Sequence, residues 1–208
     1  MNLYNDNDQL MWKKHLDQYD QMIKLMGIGK NKENLAQLDE LLWNNLKKNA
    51  YARFNAANGK LFITKNELIN IMKWKLTRGK FRPLLKLVES NTEDSVKLYT
   101  NKALNILHKD HNKWKQALTE LKYLKGIGVA TASIILAVFV PEVCPFMSDE
   151  AYKSVCSDKM SYTNKEYYYL QQKLVDKANI LNNADSVNEI WDTEMVGKAL
   201  WVASIIST

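Results

Sequence analysis

The sequence predicts an all-α protein, and three observations carry that expectation. Gly and Pro are scarce, 7 and 3 in 208 residues, so few positions force the chain to turn. Strong helix formers, above all Leu, Lys, Ala, Met and Glu, fill much of the remainder. Apolar residues recur at helical spacing along most of the chain rather than in the alternation of a half-buried strand. With 46% hydrophobic residues, the chain can bury one good-sized core or two small helical lobes sharing a cleft.

Taken in order, Leu10, Met11, Leu16, Tyr19, Met22, Ile23 and Met26 predict a first helix over Gln9 to Met26, with Gly27 and Gly29 as the stop. Leu35, Leu38, Leu41, Leu42, Trp43 and Leu46 form a second stripe, and Asn55 to Gly59 reads as a loop. Thr64-Lys65-Asn66-Glu67 has the capping-box form, in which hydroxyl and carboxylate satisfy each other's free backbone amides. The helix it opens carries Leu68, Ile71, Met72 and Trp74 and should end around Thr77 to Gly79. Pro83 disfavours helical geometry at Arg82 and suits the first turn of a short helix through Leu84, Leu85, Leu87 and Val88. Asn91 or Thr92 can cap the next helix, through Val96, Leu98, Ala103, Leu104 and Leu107, with a turn at Lys109 to His111.

Trp114, Ala117, Leu118, Leu121 and Leu124 then give a helical stripe, interrupted by Lys125-Gly126-Ile127-Gly128 and resumed by Ala132, Ile135, Leu136 and Phe139. Thr163-Asn164-Lys165-Glu166 repeats the capping-box form before a helix through Tyr167, Leu170, Leu174 and Ala178. Asn182-Asn183 is a linker, and a closing helix carries Val187, Ile190, Trp191, Met195, Ala199, Leu200 and Val202, packed onto the amino-terminal lobe.

A net charge of +6 suits a polyanionic partner, since basic surface attracts phosphates. Arginine occurs only at Arg53, Arg78 and Arg82, however, and the Lys- and Asn-rich skew could equally reflect a biased nucleotide composition. Cys144 and Cys156 are too few for a C-x-x-C metal pattern and fit a reduced intracellular compartment. The polar start, Met1 to Gln9, has no signal-peptide form, and the longest apolar run, Ala132 to Val140, is too short to span a bilayer, so no membrane association is expected.

The pair of short helices joined through Gly126 and Gly128 carries the functional expectation. Glycines let the backbone turn sharply and approach a partner, and the free amides at the start of the following helix form an anion site suited to phosphate. Leu124-Lys125-Gly126-Ile127-Gly128-Val129-Ala130-Thr131-Ala132 resembles the L-P-G-V-G-x-K-T-A hairpin of helix-hairpin-helix (HhH-GPD) DNA glycosylases. Pro141 to Ala151, with Asp149 nineteen residues beyond Ala130, resembles the loop bearing that superfamily's essential aspartate.

The resemblance covers about thirty residues and implies one two-lobed helical domain over 1–208, with the helix-hairpin-helix at about 112–140 and the terminal segments sharing a lobe. It implies that Lys125, Gly126, Ile127, Gly128, Val129 and Thr131 grip double-stranded DNA through backbone amides, with a monovalent cation, K+ or Na+, at the carbonyls of Leu124 and Ile127. No other cofactor is expected. It further implies that a damaged or mismatched base is flipped out and its N-glycosidic bond hydrolysed, with Asp149 stabilising positive charge on the sugar or orienting water.

Two departures qualify this. Ala130 stands where bifunctional members carry the lysine that forms a Schiff base, so any activity should be of the monofunctional, water-using kind. Lys125 replaces the hairpin proline, and the iron–sulfur cysteines of some relatives are absent. Separately from the resemblance, Trp74 to Pro83 concentrates Lys75, Arg78, Lys80 and Arg82 with two aromatics and can line a DNA-facing cleft, or it can be a solvated helix end. Ser148-Asp149-Glu150 is also open to a plain helix-capping reading. A non-catalytic DNA-binding module and a protein-interaction domain are the alternatives to an enzyme. A monomer and an intracellular, nuclear location are expected.

Overall fold

The computed structural model describes residues 2–28, 34–56, 59–156, 158–184 and 190–206, and among them every regular element is helical. Gly29 and Val187 lie outside the described residues.

The first expected helix is two: α1 (Gln9–Leu16) and α2 (Tyr19–Met26). Gln18 N–H turns back to His15 O at 3.2 Å, tightening and ending the first segment. The bend sends the two pieces to different neighbours, α1 onto the closing helix and α2 toward α3 (Leu35–Glu40). Hydrophobic spacing alone cannot signal such a break.

Beyond α3 the helix continues through a π-helical stretch, Leu41–Asn45, into α4 (Leu46–Ala56), so Asn55 and Ala56, expected in a loop, are still helical. The buried residues here are Leu35, Asp39, Leu42, Leu46 and Ala50, spaced slightly wider than an ideal α-helix holds in line. One wide turn keeps the stripe on one face.

Helix α5 (Lys65–Arg78) opens with the expected capping box, Thr64 and Glu67 each bonding the other's backbone, and stops at Gly79. Arg53 reinforces that start by gripping the Glu67 carboxylate with both terminal nitrogens, at 3.0 and 2.7 Å. After Pro83 comes α6 (Leu85–Glu89), then α7 (Glu93–Lys109), capped by Thr92. Asn91, the other candidate cap, does something else, described below.

Helix α8 (Trp114–Leu121) packs along α7, and a tight turn leads into α9 (Val129–Phe139). All eleven residues of α9 are buried, as expected of a helix apolar on every face. It is packed against α4, α5, α8 and α11 (Asn164–Asn182). At its far end Lys47 Nζ donates to Phe139 O at 2.9 Å, a cation on the negative end of the helix. The start of α9 lines an open cavity, described below.

Helix α10 (Asp149–Val155) follows the loop from Pro141, and α11 starts at the second expected capping box, Thr163 with Glu166. The Asn182 side chain then clasps the backbone of Trp191 through both N–H (2.6 Å) and C=O (2.9 Å). This clasp directs the chain into α12 (Thr193–Ile206), which packs on α1 and brings the two ends of the sequence together.

Candidate DNA-facing cavity

The turn between α8 and α9 is held by residues distant in sequence. Asn91, 5% exposed, accepts from Lys125 N–H and donates to Lys125 O, both at 2.9 Å. Gly126 has φ of +78°, and a Cβ there would lie 2.9 Å from Val88 Cγ2, so any side chain at this position is strained. Gly128 is different: its φ is −93° and an added Cβ would meet nothing within 4 Å. Gly128 is the N-cap of α9 and has no side chain to satisfy the first amides, which remain available to an anion.

Asp149 reaches the same region through a loop pinned to α9. Ser133 Oγ donates to Ala130 O and accepts from Met147 N–H, both at 2.9 Å. Tyr167 Oη donates to Pro145 O at 3.1 Å, and Thr193 bonds Pro141 O through N–H and hydroxyl at 2.9 and 2.6 Å. Helix capping falls to Ser148, whose hydroxyl accepts from Ala151 N–H at 3.1 Å. The Asp149 carboxylate therefore points elsewhere: one oxygen accepts from the Tyr162 hydroxyl, the other pairs with Lys80 Nζ at 2.9 Å. Burial pushes its pKa up, but the Tyr162 and Lys80 hydrogen bonds and the charges of Lys80 and Lys153 outweigh that and hold it below the usual carboxylate value.

Both structures open on one cavity of about 400 Å³. Its walls include Gly128, Val129, Ala130 and Thr131 from the start of α9, Asp149 and Glu150 from α10, Tyr162, and the basic end of α5 with the residues that follow it. Five cationic side chains, Lys75, Arg78, Lys80, Arg82 and Lys153, face two carboxylates there, so the cavity favours an anionic guest.

The expected site residues divide. Lys80, Arg82, Gly128, Val129, Thr131 and Asp149 line the cavity. Ile127, Val129 and Thr131 have buried side chains, so what they offer a ligand is backbone. Lys125 is exposed on the turn. Arg78 lines the cavity but is 7% exposed, its guanidinium lying 4.5 Å from the ring centroid of Trp201 and 5.3 and 5.4 Å from those of Phe146 and Trp74. Of the two aromatics in the basic segment, Trp74 is buried and donates to Asp39 at 2.7 Å, whereas Phe81 is 79% exposed.

Tyr162 and Asn91 are participants that sequence reasoning did not assign to the site, whereas Lys75, part of the basic segment expected at the cleft, does line the cavity. Tyr162 sits at φ of +60°, a strained conformation for an aromatic residue, with the Arg82 guanidinium 5.2 Å from its ring centroid. Its position opposite Asp149 depends on the loop before α11, and no local motif marks it. Among the described residues no group of His, Cys, Asp and Glu is arranged to hold a metal, and no helix is long and apolar enough to cross a membrane. No family model matches the chain, nor does any curated protein or solved structure.

Proposed function

We propose that the protein binds double-stranded DNA and acts as a monofunctional N-glycosylase on an extruded, damaged or mismatched base. The observation that carries this reading is the single cavity shared by the open start of α9, a cationic wall and the ionised carboxylate of Asp149. The amides at Gly128 to Ala130 would hold a backbone phosphate, with Lys125, Lys80 and Arg82 beside it. The cavity, at about 400 Å³, has room for one nucleotide base, and Phe81, exposed between the cavity-lining Lys80 and Arg82, would fill the gap left in the helix. As the base departs, positive charge grows on the sugar, and Asp149 would stabilise it in a site partly shielded from water.

This reading makes α8, the turn and α9 a helix-hairpin-helix within a two-lobed glycosylase-like fold, working as a monomer in an intracellular, nuclear setting. A monovalent cation, K+ or Na+, fits the turn in part. Leu124 O already accepts from Ile127 N–H at 3.2 Å and keeps one lone pair, while Ile127 O accepts no bond from a described residue. A cation held there would place positive charge beside the phosphate.

The test is a base-release assay on duplexes carrying deaminated, oxidised or alkylated bases, comparing the unmodified protein with Asp149→Asn. Release by the former, abolished in the variant with duplex affinity kept, is the expected result. One observation favours a second reading, a DNA-binding module without catalysis: the Lys80 ammonium already neutralises Asp149 at 2.9 Å. Salt-sensitive duplex binding with no release across the panel would select it.

A further inference from the structure

An uncharged base that leaves its sugar takes the bonding pair and departs as an anion unless it gains a proton on the way, whereas a base already cationic departs neutral. The charge lining the cavity therefore discriminates between them. Lys80 takes the Asp149 carboxylate at 2.9 Å, and Arg78 stands 3.7 Å from Glu150. Lys75, Arg82 and Lys153 line the same cavity without an ion pair to any described residue. Arg82 and Lys153 are exposed, and Arg82 lies over the Tyr162 ring. Lys75, one turn before the end of α5, is half-buried and makes no hydrogen bond with a described residue either. A lysine stem ordinarily carries its ammonium to water, so Lys75 is an unfilled donor in the cavity wall.

We propose that the extruded base is uncharged, as deaminated and oxidised bases are, and that Lys75 gives it the proton with which it leaves. This rests on the glycosylase reading and narrows it, because a base made cationic by alkylation would meet three unpaired positive charges. Asp149 is held ionised and has no proton to give at neutral pH. The charged and titratable groups around Lys75 are Arg78, Lys80 and Arg82 from its own stretch of chain, and Asp149, Glu150, Lys153 and Tyr162 from α10 and the loop after it; α9 contributes none. Burial disfavours the Lys75 ammonium and the charge of Arg82 adds to this, against the pull of Asp149, so Lys75 is a stronger acid than a free lysine.

The step balances with water as the co-reactant. The N-glycosidic bond breaks with its electron pair on the base, and a Lys75 Nζ proton goes to a ring nitrogen or carbonyl oxygen of that base. Water adds to C1′, and its spare proton passes through the Asp149 carboxylate to the Lys75 amine, restoring both groups. Free base and an abasic sugar are the products.

The experiment measures single-turnover release by the full chain from duplexes carrying uracil, hypoxanthine, 8-oxoguanine or the cationic 7-methylguanine. Lys75→Met and Lys75→Arg are compared with the unmodified protein across pH, with duplex affinity measured in parallel. The expected result is release of one or more of the uncharged bases in preference to 7-methylguanine, slowed by about 10²-fold or more in Lys75→Met. In the unmodified protein the rate should fall as pH rises through the Lys75 pKa. In Lys75→Arg, which keeps the charge and duplex affinity but holds its proton, release should stay slow and that alkaline fall should be absent; a merely structural lysine would leave the fall in place. Preferred release of 7-methylguanine, or an alkaline fall that survives in Lys75→Arg, overturns the proposal and leaves the glycosylase reading standing. Release of none of the four bases overturns both.

Discussion

A methyl group added at Gly126 would lie 2.9 Å from Val88 Cγ2 on a backbone with φ of +78°, whereas the same group at Gly128 meets nothing within 4 Å. Gly126→Ala should therefore cost on the order of 3 kcal/mol of stability, and Gly128→Ala about 1 kcal/mol from the poorer helix start. The order of effects on duplex affinity, corrected for folding, should be reversed, because the Gly128 methyl projects where a phosphate would approach. Urea titration and fluorescence anisotropy separate the two quantities. The pair Gly126 and Gly128 was legible in the sequence as a turn, but which glycine serves the fold and which leaves room for a partner depends on Val88, a residue on another helix. Tyr162 was illegible for a similar reason: its hydroxyl reaches Asp149 only because residue 162 adopts φ of +60°. Tyr162→Phe removes the hydrogen bond that, after burial, most affects Asp149, so the Asp149 pKa should rise. Because the folded-state pKa of Asp149 lies below its unfolded value, its contribution to stability is present above the unfolded value and lost as pH falls through the folded one. In Tyr162→Phe that loss, and the acid limb of any base-release profile, should both move to higher pH. Carboxyl NMR titration of Asp149 checks the shift without depending on turnover, and an unchanged midpoint would refute it.

Helix starts were read well from sequence because their chemistry is local. The boxes at Thr64–Glu67 and Thr163–Glu166 both form, each needing only residues three apart. Helix continuity was read poorly. The break between α1 and α2 and the π-helical stretch at Leu41–Asn45 answer to neighbours packed from elsewhere in the chain. Asn91 belongs to the same class: it looked like a cap for α7, yet Thr92 caps that helix and Asn91 holds both backbone groups of Lys125. The α8–α9 turn is thereby fastened to the end of α6 rather than to its own helices. Asn91→Ala removes three hydrogen bonds, a half-buried pair to Lys125 and a buried one to Val88 O, and leaves the Lys125 amide to find water. A loss of about 2 kcal/mol follows. Amide exchange should quicken first at Lys125 and its neighbours and leave the centre of α9 protected, and uniform acceleration along the chain would contradict this local role.

At the scale of the molecule, the basic segment that ends α5 and runs on past it divides between core and surface, and the division can be measured. Arg78 lies against three aromatic rings with its Nε buried and without a hydrogen-bond partner, paired only loosely with Glu150 at 3.7 Å. Arg82 is exposed at the cavity rim, beside Lys80. Sequence reading grouped the two arginines because they are four residues apart in one cationic run, and nothing in that run says that the helix end turns Arg78 inward. A long-range field acts through exposed charge and releases counterions from DNA, whereas a charge sealed among rings serves packing. Arg82→Gln should therefore leave the thermal midpoint nearly unchanged and reduce the slope of log affinity against log salt by roughly 1. Arg78→Gln should do the opposite, lowering stability by on the order of 2 kcal/mol through lost cation–π contact while the salt slope of the folded fraction stays the same. If both variants flatten the slope equally, Arg78 reaches phosphate in the complex. The α5 end must then open on binding, because its guanidinium cannot remain among Trp74, Phe146 and Trp201 and also meet the duplex.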